Sequence, residues 1–166
     1  MSKRIIAWDS CIIVDAIQKH SQKYAAIQPM ILNAEKGDLK IVVSSLSAAE
    51  VKYLRELSAN GMSQTEQDDL IDRWFNNDYI EMRNADFGTC KYAADIGRIH
   101  ANLSPTDAVI LATTIRSESP MLITYDNGKT GKFDGLLSLD GRVGNPAIKI
   151  CKPEDYANQI EMVYGE

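Results

Sequence analysis

The chain has 166 residues, 45% hydrophobic and 25% charged, which suits a single globular domain with a sizeable core and excludes a disordered or repetitive protein. Its formal charge of -5 and pI near 5.1 argue against a broad basic surface for long nucleic acid, leaving phosphate binding to a few local cations. Three widely spaced cysteines, Cys11, Cys90 and Cys151, exclude a disulfide framework and a zinc site and are expected as small buried side chains, while the short apolar run after Arg4 excludes a signal-peptide core or membrane span and points to the cytoplasm.

Arg4 to Trp8 reads as an apolar strand ending at Asp9, and Ile12 to His20 as a helix. A second helix spans Tyr24 to Lys36, interrupted by Pro29 near its first turns, before Gly37 and Asp38 reset the chain into a buried strand, Leu39 to Val43. Ser47 to Leu57 carries helical spacing, with Val51, Leu54 and Leu57 on one face. Gln64 to Phe75 follows as an amphipathic helix and Tyr79 to Met82 as a short strand. Helices over Cys90 to Ala101 and Pro105 to Arg116 are separated by Asn102-Leu103-Ser104, and Met121 to Tyr125 is a strand before Asp126. The Gly-rich insertion at 127–146 is long for a compact domain, so it is either functional or poorly ordered, although Phe133, Leu136, Leu137 and Leu139 argue that part of it packs. Ala147 to Cys151 closes the set of strands, and a helix starts near Pro153. Strands alternating with helices predict an α/β domain whose mainly parallel sheet is covered on both faces.

Four acids, Asp9, Glu50, Asp107 and Asp126, fall where a strand ends or a helix begins. In an open α/β sheet the carboxyl ends of the strands line one crevice, so acids far apart in sequence can meet there. Clustered hard oxygen ligands suit Mg²⁺ or Mn²⁺. Singly, each acid has a plain structural explanation. Ser47-Ala48-Ala49-Glu50 and Ser104-Pro105-Thr106-Asp107 have the form of helix-start capping boxes, Asp126-Asn127-Gly128 that of a turn, and Asp9 that of a helix cap. Jointly, the placement of all four favours one shared site. Ser10 beside Asp9 and Thr124 beside Asp126 are hydroxyls positioned to orient those acids from behind. Asp15, Asp86 and Asp95 read as acids on solvated helix faces, and neither histidine, His20 or His100, is placed as a base.

The segments Ile5 to Ser10, Ser45 to Val51, Ser104 to Ala112 and Leu122 to Asp126, in this order and spacing, resemble a PIN domain, and among PIN domains the VapC-type ribonuclease toxins. The resemblance runs through most of the chain. It implies a three-layer α/β/α fold, an acidic site of Asp9, Glu50, Asp107 and Asp126 holding Mg²⁺ or Mn²⁺, and hydrolysis of single-stranded or looped RNA. Asp9 and Asp107 would be central ligands and Glu50 and Asp126 flanking ones, around one ion or two. Toxins of this kind are commonly dimers held by a small antitoxin, so a homodimer and an antitoxin are the implied partners. The chain departs from the family after Asp126, where the insertion replaces a short turn and an aromatic residue, a role for which Phe133 is the candidate. Lys52 and Arg55 near Glu50, with Lys129 and Lys132 after Asp126, are the candidate RNA-binding cations. Two rival readings stand beside this one. A nucleophilic phosphatase needs an acid two residues after Asp9, where Cys11 stands. A PIN-like interaction module with weak or no nuclease activity would keep the fold without the chemistry.

Overall fold

The computed structural model describes residues 4–19, 21–128 and 132–164. Five parallel strands, β1 (Arg4–Trp8), β2 (Leu39–Ser44), β3 (Ile80–Arg83), β4 (Met121–Ile123) and β5 (Lys149–Cys151), form one sheet in the order β3-β2-β1-β4-β5. Alternate residues of each strand enter opposite cores. Ile6, Trp8, Ile41, Val43, Met121 and Ile123 face one, while Ala7, Val42, Leu122 and Ile150 face the other. The first core is covered by α1 (Ser10–Gln18), α2 (Ser21–Glu35), α5 (Gln64–Phe75) and α8 (Tyr156–Tyr164). The second is covered by α6 (Phe87–Ile99) and α7 (Pro105–Arg116), giving three layers. Burial on both faces explains why the strands are β-branched runs, each such side chain contributing about 1.5–3 kcal/mol. Among the described residues no helix is long and apolar enough to cross a membrane.

Several boundaries differ from those expected, for identifiable reasons. Helix α2 runs straight through Pro29, because the burial of Ile27, Met30, Ile31 and Ala34 outweighs the roughly 3 kcal/mol that an interior proline costs. The helix expected over Ser47 to Leu57 is two, α3 (Ser45–Glu50) and α4 (Arg55–Ala59). Strand β2 passes directly into α3, so Ser44 is the cap, accepting from the Leu46 amide at 3.3 Å, and the expected Ser47 capping box does not form. Between the two helices Val51 and Leu54 both turn inward, and the buried Gln67 amide oxygen takes the Leu54 N–H at 3.1 Å that a continuous helix would have used. Helix α6 begins three residues earlier than expected, because Asp86 caps it by accepting from Thr89 N at 2.7 Å.

The Gly-rich stretch is packed where it is described. Leu136 and Leu139, in a 3-10 turn over Leu136–Leu139, are buried with Val143, and Asp140 accepts from Ile150 N and Lys149 Nζ, both at 2.7 Å. Phe133 is 43% exposed and fills no core position. Gly128 and Gly135 touch at the neck of the excursion between them, since a Cβ on Gly135 would lie 2.1 Å from Gly128 N. Gly128 also has a φ of +69°, which favours glycine.

Candidate metal centre at the carboxyl edge of the sheet

The strand order reverses direction between β1 and β4, and a crevice opens outside the carboxyl ends of strands at such a switch point. Register fixes what stands there. Trp8 pairs with Val43 on one side and Ile123 on the other, so the next residues, Asp9, Ser44 and Thr124, form a row along this edge. Asp9 caps α1 and is 5% exposed. Its Oδ1 accepts from Ser10 N at 2.7 Å and Ser10 Oγ at 3.3 Å, and its Oδ2 from Thr124 Oγ1 at 2.6 Å and Cys11 Sγ at 3.2 Å. A carboxylate held by this many donors keeps one orientation.

Asp107 lies in the first turn of α7, whose cap Ser104 accepts from Asp107 N at 3.1 Å and donates to Asp107 Oδ2 at 2.5 Å. Burial pushes its carboxyl up to about 6; the Ser104 hydroxyl opposes the shift, and the charges of Asp9, Asp126 and Glu50 add to it. These four acids therefore share one electrostatic neighbourhood. Glu50 ends α3, and partial desolvation followed by the charge of Asp9 raises its carboxyl, against the Ser10 hydroxyl and Lys52. Because Glu50 is exposed as a residue, solvent screens much of that effect. Asp126 accepts from Gly128 N at 3.1 Å through Oδ1 and from Leu136 N at 2.8 Å through Oδ2, straddling the neck of the Gly-rich excursion. Two hydrogen bonds leave lone pairs on both its oxygens for a further ligand.

Thr124 links Asp9 and Asp126, donating to the Asp9 carboxylate and accepting from Asp126 N at 2.9 Å. Lys52 and Arg55 are exposed, Lys52 in the link after α3 and Arg55 at the start of α4 rather than on one helix with Glu50. Lys132 is exposed, and Lys129 and His20 lie outside the described residues. Asp15 is not a solvated acid, since it is 6% exposed and paired with Lys23 Nζ at 3.0 Å, and Lys23 in turn sits 4.9 Å over the Tyr125 ring. The cysteines are likewise not all buried. Cys90 is exposed, and Cys11 is a half-buried donor to Asp9 that also accepts from Tyr125 N at 3.4 Å. Burial, then the charge of Asp9, holds the Cys11 thiol well above its ordinary range, so it stays protonated as a donor. Cys11 and Ser104 escaped sequence reasoning as parts of the site. A Ser three residues before an acid at a helix start was the available sign for Ser104, whereas nothing local marks Cys11.

The profile of the PIN domain matches residues 6–132, more than half of the chain. The chain belongs to the PIN-domain family. No curated protein matches it. Among solved structures, a chain of VapBC2 from Rickettsia felis, crystallised bound to a DNA fragment from the promoter, superposes with a TM-score of 0.60. That match covers 89% of this chain and 98% of the other at 16% identity, a likeness of fold.

Whether this PIN domain's acids suit a divalent ion is decided by donor chemistry. The set is carboxylate and hydroxyl oxygen, as Mg²⁺ and Mn²⁺ prefer, and a cation would relieve the repulsion that adds to burial in raising Asp107. Among the described residues no three acidic, histidine or cysteine side chains stand close enough together to hold a metal ion. Without metal, the raised Asp107 has a consequence for stability. Between about pH 4 and 6 the folded protein holds a proton at Asp107 that the unfolded chain releases, so stability falls as pH rises through this window. Asp107→Asn flattens that fall, and in metal-free buffer above pH 6 its melting temperature equals or exceeds the parent's, because an amide oxygen still accepts from the Ser104 hydroxyl. A large loss of stability in thermal melts across this range would make Asp107 a purely structural acid.

Proposed function

We propose that this PIN domain is a Mg²⁺- or Mn²⁺-dependent endoribonuclease, acting in the cytoplasm as the toxin of a toxin-antitoxin pair. The observation that supports it most is the electrostatics at the switch point, where a fixed Asp9 shares its surroundings with an Asp107 whose carboxyl is raised by burial and, further, by the charges of Asp9, Asp126 and Glu50. A group of acids that repel one another is costly unless something cationic is meant to enter. A bound divalent ion supplies concentrated positive charge that offsets the charge developing on a phosphodiester and favours attack by water. Asp9, held in one orientation by Thr124, Cys11 and Ser10, would be a ligand already in place, with one of its four donors giving way to the cation. Asp107 would be the central partner, and a cation held there would offset the charge that its acidic neighbours place around it. Glu50, exposed and with a raised carboxyl, is the acid best able to orient water or take a proton from it. Asp126 flanks the site from the neck of the Gly-rich excursion, and Lys52, Arg55, Lys129 and Lys132 are the cations for the RNA backbone. A small antitoxin, in line with the fold shared with VapBC2, and a homodimer, implied by the toxin-like resemblance alone, complete the proposal.

Incubation of pure protein with a mixed RNA pool tests this. Cleavage in Mg²⁺ or Mn²⁺ is expected, with complete loss in excess chelator and recovery on re-addition of either ion. Undiminished cleavage in chelator defeats the metal mechanism, and intact RNA in the presence of both ions supports a PIN-like interaction module instead.

A further inference from the structure

A second polar feature lies on the same edge of the sheet, outside the acid cluster. Arg83, Asn84, Asp86, Thr89, Thr113, Arg116 and Ser117 line a cavity of about 110 Å³ between the end of β3, the start of α6 and the end of α7. Its floor is buried and polar, made by Thr89, Thr113 and Ser117. Its two cations are half-exposed arginines. The Arg116 guanidinium lies against the first turn of α6 at Gly88, where a Cβ would stand 3.0 Å from Nη1.

Register and helix length relate this cavity to the acids. Ser44 pairs with Arg83 in the sheet and lies one position past the pair Trp8 and Val43, so Arg83, Ser44 and Asp9 share one row. With neighbouring strands roughly 4.8 Å apart, Arg83 is about 10 Å from Asp9 along the sheet edge. Helix α7 joins the two places, with Asp107 in its first turn at the acids and Arg116 in its last at the cavity. Midway, Thr113 donates to Ser44 Oγ at 3.4 Å and lines the cavity.

We propose that this cavity binds a backbone phosphate of the RNA strand, flanking the phosphodiester held at the acids; the proposal rests on the nuclease reading. Arg83 already pairs with Glu81, and Arg116 Nη2 stands 3.8 Å from Asp86 Oδ2. These exposed pairs are worth little, so a phosphate oxygen can replace a carboxylate at small cost. Arginine suits the task, because its planar fork grips two phosphate oxygens at once. Ser117 and Asn84 add further polar side chains to the lining. A strand anchored here runs across the sheet edge toward Asp9, and the repulsion between its phosphates and the uncovered acids is offset at the cavity. The site thereby supplies part of the positive charge that a protein of net charge -5 lacks elsewhere.

The test uses a fluorescent, unstructured oligouridylate with Arg116→Met, Arg83→Met, Arg116→Lys and, as a control on the opposite layer, Arg73→Met. Binding is followed by anisotropy in an Asp9→Asn background with Mg²⁺, and cleavage in the parent background. Arg116→Met is expected to weaken binding about tenfold, the value of one charge-assisted contact. It should also reduce the dependence of log affinity on log salt by about 0.7, the slope of one phosphate contact on a single strand. The loss of cleavage should fall on KM rather than kcat. Arg116→Lys keeps the salt slope but recovers only part of the affinity, and Arg73→Met changes neither quantity. Unchanged affinity and slope in both Met variants, with cleavage intact in the parent, overturns the phosphate site and leaves the nuclease standing. Arginine-dependent binding by a parent that never cuts RNA upholds the site and overturns the nuclease. A parent that binds no RNA overturns both.

Discussion

Asp9→Asn lowers RNA cleavage by on the order of 10²-fold or more while the protein stays folded, the scale set by removing one preorganised electrostatic contact to a transition state. The substitution keeps the shape and removes the charge. Ser10 N, 2.7 Å from Oδ1, still has an amide oxygen to donate to. The new amide N–H faces Thr124 Oγ1 and Cys11 Sγ, both of which can turn their hydrogens away and accept. Packing around this buried position is therefore retained, and the deficit appears in chemistry and in metal affinity. A second readout comes from Asp107, whose raised ionisation is due partly to Asp9 and moves down toward the ordinary carboxylate range when that charge is gone. If the protein is a toxin, expression of the parent arrests growth and the variant is tolerated at equal soluble amounts. Equal growth inhibition by the two would move the biology from cleavage to binding.

Gly135→Ala is the most destabilising single methyl the chain can accept near the site. Its Cβ would meet only backbone, at 2.1 Å from Gly128 N, 2.3 Å from Asn127 C and 2.7 Å from Asn127 Cα, so no side chain can swing away to make room. Overpacking of this kind costs about 1–3 kcal/mol or more. For a domain of this size that corresponds to a fall in Tm of about 5 °C or more. The same displacement separates Gly128 N from Leu136 N, the two donors to Asp126, and so disturbs the acid site as well. Gly97→Ala is the contrast, since nothing lies within 4 Å of a Cβ there and a mid-helix alanine adds about 0.5–1 kcal/mol. Thermal melts of the two variants decide the matter, and a Gly135→Ala protein as stable as its parent would mean that the neck is looser than its geometry says.

Periodicity carried most of the fold into view. Runs such as Ile41-Val42-Val43 are buried on both faces, which is a property of a central parallel strand and shows directly in composition. The failures came where a distant residue overrules a local pattern. Ser47 has every local mark of a helix cap, yet Ser44 caps because β2 leaves no loop before α3, and Gln67 ends the expected helix from thirteen residues away. Asp15 reads as a surface acid until Lys23 and Tyr125 close over it. Asp9, Glu50, Asp107 and Asp126 were visible as candidate site residues because strand ends and helix starts are written in neighbouring residues. Cys11 and Arg116 were not, because their partners, Thr124, Tyr125 and Gly88, are brought to them only by the tertiary fold.

The strand order also governs when the site can come into being. Strand β1 is made first and sits at the centre, but its two neighbours are β2 and β4, the latter pairing Trp8 with Ile123 more than a hundred residues later. Its outer backbone waits longer still, since the Ile5 amide and carbonyl are satisfied by the Tyr164 hydroxyl at 2.6 and 2.5 Å. Such non-local pairing slows folding, and the row of Asp9 and Thr124 exists only once β4 has joined β1. The hydrogen bond from Thr124 that fixes Asp9, and the neighbouring Asp126, therefore join the candidate site only after most of the chain has been made.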